Sequence, residues 1–177
     1  MGKPPEDMEL VSEAFMENPL VTIASPEHPL TRRQRIPLEE LVKESFVVRE
    51  HGSGTRSAVE RFFAQRHITL SATMELSRNE AIKQAVAAGL GLGIVSLHTL
   101  ELELVTGRLA LLDVEAFPIL RHWYIVHRQG KRLSPIAVAF KDFVLREATQ
   151  IWSIDELLAN IPRLHQNKDS NQPNASK

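Results

Sequence analysis

The chain has 177 residues, 43% of them hydrophobic, a formal net charge of −1 and no cysteine, the profile of one ordinary globular domain. The missing cysteines exclude a disulfide scaffold and any thiolate metal site and fit a reducing compartment, so a cytoplasmic location is expected. The near-zero charge gives no global attraction to nucleic acid, no stretch approaches the roughly 20 apolar residues of a membrane span, and the N-terminal Met1-Gly2-Lys3-Pro4-Pro5-Glu6-Asp7 has no signal-peptide core.

Leu20 to Ser25 is β-branched and stopped by Pro26, which predicts a strand. Pro37, the acidic pair Glu39 and Glu40, and Leu38, Leu41 and Val42 at helical spacing predict a short helix. Phe46 to Val48 reads as a buried strand. Gly52-Ser53-Gly54-Thr55 then leads into a helix with Val59, Phe62 and Phe63 on one face. Leu70, Ala72, Met74 and Leu76 alternate with polar residues, which predicts a strand with one buried face. Ser77 and Glu80 match a capping box, Ile82, Ala85 and Val86 supply an apolar stripe, and Gly89 stands at the helix stop. A strand over 92–97, a short helix over 101–105 and strands over 109–114 and 123–126 follow. Ser134-Pro135 opens a last long helix with Ile136, Ala139, Phe140, Phe143 and Val144 on one face. Residues 151–164 add at most a weak turn or short helix around Asp155-Glu156-Leu157-Leu158, and the polar 165–177 is expected to be disordered. Strands alternating with helices of about ten residues predict parallel pairing through right-handed crossovers, hence an open α/β sheet covered on both faces.

The stretch with most chemical content is Arg49-Glu50-His51-Gly52-Ser53-Gly54-Thr55-Arg56. Glycines let the backbone turn tightly, the first helical turn offers N–H groups to an anion, and Ser53, Thr55 and Arg56 add donors. A nucleotide-hydrolase phosphate loop would need a lysine after its glycines, and a dinucleotide fingerprint a third glycine where Ser57 stands. An ordinary capped turn with Thr55 as N-cap accounts for the same residues. Asn79 lies at a second strand-to-helix turn, where open α/β sheets favour ligands. The glycines at 89, 91 and 93 are better explained by a helix stop and close packing than by a phosphate cradle. The seven histidines show no His-Glu-x-x-His, and His122 and His127 would point oppositely on a strand. No Gly-x-Ser-x-Gly elbow and no locally spaced triad is present, so neither metal, cofactor nor catalytic residue is expected. Arg121, His122, Arg128, Lys131 and Arg132 read as a solvated basic face, and Trp123 and Tyr124 as packing residues.

Three runs, Ile23 to Leu30, Phe46 to Arg56 and Asn79 to Gly91, resemble the effector-binding domain of LysR-type transcriptional regulators, over roughly residues 1–148. Gly107-Arg108-Leu109, Trp123 to Arg128 and Lys131 to Pro135 look most like the regulators of RuBisCO operons within it. The resemblance implies a periplasmic-binding-protein-like (type 2) α/β fold of two subdomains with an effector cleft between them. It implies that 1–10 end the first subdomain, 11–131 form a nearly complete second one, 132–150 return to the first, and 151–177 are an extension. On this pattern most of the first subdomain and the helix-turn-helix are missing, and the face of the last helix is expected to be exposed. Its effector wall would include Ser25, Ser53, Gly54, Thr55, Arg56, Asn79 and Ser96. The partner it implies is a small anionic metabolite, a phosphorylated sugar, phosphoenolpyruvate or a nucleotide. A homo-oligomer is implied too, with DNA contacted only through the missing domain. A solute-binding protein of the same fold and a small enzyme are the competing readings.

Overall fold

The computed structural model describes Gly2 and residues 9–151. Strands β1 (Leu10–Glu17), β2 (Leu20–Ala24), β3 (Phe46–Arg49), β4 (Ala72–Leu76), β5 (Leu92–Ser96), β6 (Ala110–Leu111) and β7 (His122–Arg128) combine with helices α1 (Leu38–Leu41), α2 (Gly54–Ala64), α3 (Asn79–Ala87), α4 (Glu101–Val105) and α5 (Pro135–Ile151). Five strands form the main sheet in the order β4-β3-β5-β2-β6, and β1 and β7 form a separate antiparallel ribbon.

The period of two along each strand sorts the core to both faces. Leu20, Phe46, Val48, Leu92 and Ile94 face one way, onto Leu38 and Leu41 of α1 and Val59, Phe62 and Phe63 of α2. Ile23, Val47 and Val95 face the other, onto Ile82 and Val86 of α3 and Leu104 of α4. The expected two-sided cover is therefore present. So is the close packing expected of the glycines: a Cβ on Gly93 would stand 3.0 Å from Val86 and 3.1 Å from Ile82.

The expectation of wholly parallel pairing is corrected. β3 pairs parallel with β4 and β5, but β2 is antiparallel to both β5 and β6. The units β3-α2-β4, β4-α3-β5 and β5-α4-β6 do run through helices to strands of one direction. β2 reaches the sheet from the ribbon and slots between β5 and β6 in the opposite sense. Three local readings also change. β1 had no counterpart among the predicted strands. β4 is a sheet edge with Met74 exposed, so its alternation does not bury one face. The strand expected over 109–114 contracts to β6, followed by a bridge from Val114 to Ile36.

The capping box at Ser77 does not form. α3 starts at Asn79 with Arg78 as its N-cap and no side-chain cap bond, so Ser77 lies one residue too early. Glu80 instead meets Lys83 at 2.8 Å and accepts from Gln84 at 3.0 Å. The far end of α3 matches expectation: Leu90 N donates to Ala85 O and Gly89 N to Val86 O, the paired bonds of a Schellman stop.

α5 starts as the sequence predicts, with Ala137 N donating to Ser134 Oγ at 3.3 Å. It packs on β1, where Lys141 Nζ meets Glu13 Oε1 at 2.7 Å. Its apolar stripe is uncovered, as expected: Ile136 is 80% exposed and Phe140 67%. Among the described residues no helix is long and apolar enough to cross a membrane. The turn expected around Asp155 to Leu158 and the polar tail 165–177 lie outside the described residues.

Candidate functional site

The carboxyl ends of β3, β4 and β5 share one edge of the sheet, and the loop 50–53 runs from this edge into α2. Gly52 makes that loop possible: at φ +87° it occupies a region where a Cβ is costly. Ser53, rather than Thr55, is the N-cap of α2, its hydroxyl accepting from Thr55 N at 3.3 Å. That arrangement frees the Thr55 hydroxyl for a different neighbour.

The neighbour is Arg121, whose Nη2 donates to Thr55 Oγ1 at 3.2 Å while its Nε donates to Asn18 O at 3.3 Å. Burial, and then the positive charge of Arg49, push the Arg121 pKa below its ordinary value. Among the described residues no carboxylate stands within ion-pair distance of Arg121. The other two guanidiniums are compensated. Arg49 grips Glu50 in a fork of 2.8 and 2.9 Å and donates to Asn79 Oδ1 at 2.9 Å. That fork holds the Glu50 carboxyl below the usual carboxylate range. Arg56 pairs with Glu60 and, at 3.9 Å, with Glu75, and donates to Arg49 O at 3.2 Å. A small pocket opens here, lined by Arg49, Thr55 and Arg56 beside Val48, Val59 and Ile94.

Helix N-terminal N–H groups, a threonine hydroxyl and an unbalanced, half-buried cation form a set that suits an anion. Of the residues expected on the effector wall, Ser53, Gly54, Thr55 and Arg56 meet at the start of α2, and Asn79 joins them through Arg49. Ser96 ends β5 on the same edge, but it is buried and bonded to Asn18, one step behind the pocket. Ser25 is not brought together with them. Because β2 is antiparallel, with Leu20 opposite Ser96 and Ile23 opposite Gly93, Ser25 lies at the other end of the sheet. At about 3.3 Å per residue, that is roughly 16 Å from Ser96 along the strands.

Arg121 and Asn18 were not among the expected site residues. Arg121 sat in a cluster that read as solvated, and only the three-dimensional fold brings it to Thr55, 66 positions away. Among the described residues no cluster of His, Cys, Asp or Glu could hold a metal ion.

A family model described as the LysR substrate binding domain matches residues 1–149. The chain belongs to this family. It is 59% identical over 151 residues to the RuBisCO operon transcriptional regulator of Allochromatium vinosum, covering 85% of this chain and 50% of that protein. It is 51% identical over 156 residues to the HTH-type transcriptional activator CmpR of Synechocystis sp., covering 87% and 51%. The chain thus spans about half the length of the curated relatives it matches. These relatives are transcriptional regulators, not enzymes. Among solved structures, it is similar to the Synechocystis CcmR regulatory domain in complex with 2-PG, with a TM-score of 0.77 and 43% identity over 82% of this chain and 70% of that one. The effector-binding domain of QuiR in complex with shikimate matches at a TM-score of 0.74 and 21% identity, over 84% and 70%, and shares the fold.

Proposed function

We propose that this LysR effector-binding domain senses a small phosphorylated anion at the start of α2, as part of a cytoplasmic regulator of CO2-fixation operons. The observation that carries the reading is Arg121, a half-buried cation held on Thr55 without a carboxylate partner among the described residues. A bound phosphate or carboxylate would supply the missing charge through charge-assisted bonds. The RuBisCO-regulator relatives, and the 2-PG carried by the CcmR domain, agree with that chemistry. In this reading Ser53, Gly54, Thr55, Arg56 and Arg121 contact the anion, Asn79 orients Arg49 at the rim, and Ser96 supports Arg121 from behind. Residues 11–131 are the second effector subdomain. Residues 1–10 and 132–150 lead from and back to the first, and 151–177 extend beyond it.

The effector acts by differential affinity: the arrangement of subdomains that closes best around it is populated more. In a homo-oligomer that shift would be passed to DNA through a domain outside this chain. Calorimetric titration of the chain with 2-phosphoglycolate tests the reading. Binding that Arg121→Ala weakens by about tenfold or more supports it. Equal affinity in the parent and Arg121→Ala, or no binding by a cooperatively folded parent, overturns it.

A further inference from the structure

We infer that Asn18 is a positioning residue for this anion site, holding the Arg121 guanidinium in place and tying it to the indole of Trp123. The inference rests on the anion reading above and adds how the site is kept in register.

Asn18 is fully buried between β1 and β2. A buried amide is costly unless both its nitrogen and its oxygen find hydrogen-bond partners. One orientation of the side chain satisfies its neighbours: the nitrogen donates to Ser96 Oγ, and the oxygen accepts from Trp123 Nε1 and, at 3.1 Å, from Arg121 Nη2. The backbone repeats the link in both directions. Asn18 N donates to Arg121 O at 2.7 Å, and Arg121 Nε donates to Asn18 O at 3.3 Å. Thr55 by itself offers Arg121 one acceptor, which leaves the plane of the guanidinium free to turn. Asn18 supplies the acceptors that fix it.

Asn18 joins the ribbon to β2, and Arg121 stands between the Ile119–Leu20 bridge and β7. The two strands of chain that pass between ribbon and sheet are thus clasped at this pair. Trp123 lies on the ribbon, its indole stacked with His98 at 5.5 Å and Phe15 at 6.4 Å between ring centroids. A ligand that draws Arg121 toward α2 weakens its bond to the Asn18 oxygen that the indole also uses, so Trp123 should sense occupancy.

The test uses the whole chain with Trp152→Phe, which leaves Trp123 as its single indole. It is titrated with 2-phosphoglycolate, following Trp123 emission and calorimetric heat together, and Arg121 is probed without ligand by phenylglyoxal and peptide mass mapping. Asn18→Ala is expected to weaken binding by about tenfold, to speed dicarbonyl labelling of Arg121, and to remove the ligand-dependent change in emission. An Asn18→Ala chain that melts cooperatively and keeps the parent affinity and labelling rate overturns the positioning role and leaves the anion reading standing. Should Asn18→Ala fail to fold, Asn18→Ser decides. Its shorter side chain does not reach Arg121, so faster dicarbonyl labelling with weakened anion binding supports the inference, and parent labelling and affinity overturn it. A folded parent that binds no 2-phosphoglycolate removes the anion reading itself, and the inference falls with it.

Discussion

Phe46 and Phe140 are the same side chain in opposite circumstances. Phe46 is 0% exposed in the middle of the main sheet, enclosed by α1 and α2, while Phe140 is 67% exposed on α5. The five-stranded unit closes its own core on both faces, whereas the ribbon and α5 form one layer whose second apolar side faces nothing among the described residues. Each large apolar side chain gains about 1.5–3 kcal/mol only when something covers it. An amphipathic stripe therefore records a need for a partner, and the fold alone decides whether the need is met.

That contrast sets the sizes of the expected effects. Phe46→Ala should cost about 3–5 kcal/mol in urea denaturation, the loss of a fully buried ring and the cavity it leaves. A cost below about 1 kcal/mol would mean that the main core is less closed than its burial indicates. Lys83→Met comes next. Lys83 is buried against Glu103 at 2.7 Å, and its removal strands that carboxylate, which should cost about 3 kcal/mol. Lys83→Met with Glu103→Leu should recover most of the loss. Burial opposes the charge of Lys83, but its hydrogen bonds to Glu103 and Glu80 prevail and raise its pKa above the ordinary 10.5. The resulting stabilisation is complete below pH 10.5 and is lost as pH rises through the raised folded value. Urea midpoints should therefore fall more steeply above that pH in the parent than in the double variant. Smallest of all, Phe140→Ser should change stability by no more than about 0.5 kcal/mol. A loss near that of Phe46→Ala would show that α5 has a covering surface after all.

Much of the fold was legible because short-range signals survive folding. The apolar faces of α2 and α3, the glycine stop after α3 and the Ser134 cap of α5 all depend on residues within a turn or two of one another. What escaped depends on distance. β1 takes its partner from β7 more than a hundred positions away, and the reversed sense of β2 follows from its entry out of that ribbon rather than from its own residues. The site divides in the same way. The glycine loop and the donors at the start of α2 can be read locally, while Arg121 and Asn18 acquire their roles only from contacts across the chain. Ser25 shows the converse: a residue at a strand end is placed by the strand's direction, which the sequence of that strand does not encode.

The reversed strand has a further consequence for how the protein is made. β2 lies between β5 and β6, and β6 has no other strand neighbour in the sheet. The earliest strand of the main sheet to be synthesised thus remains without sheet partners until Ser96, 76 residues after Leu20, has emerged. At about 5–20 residues per second that interval is roughly 4–15 s. Through that interval the hydrophobic run Leu20 to Ala24 is without the two strands that enclose it in the finished sheet.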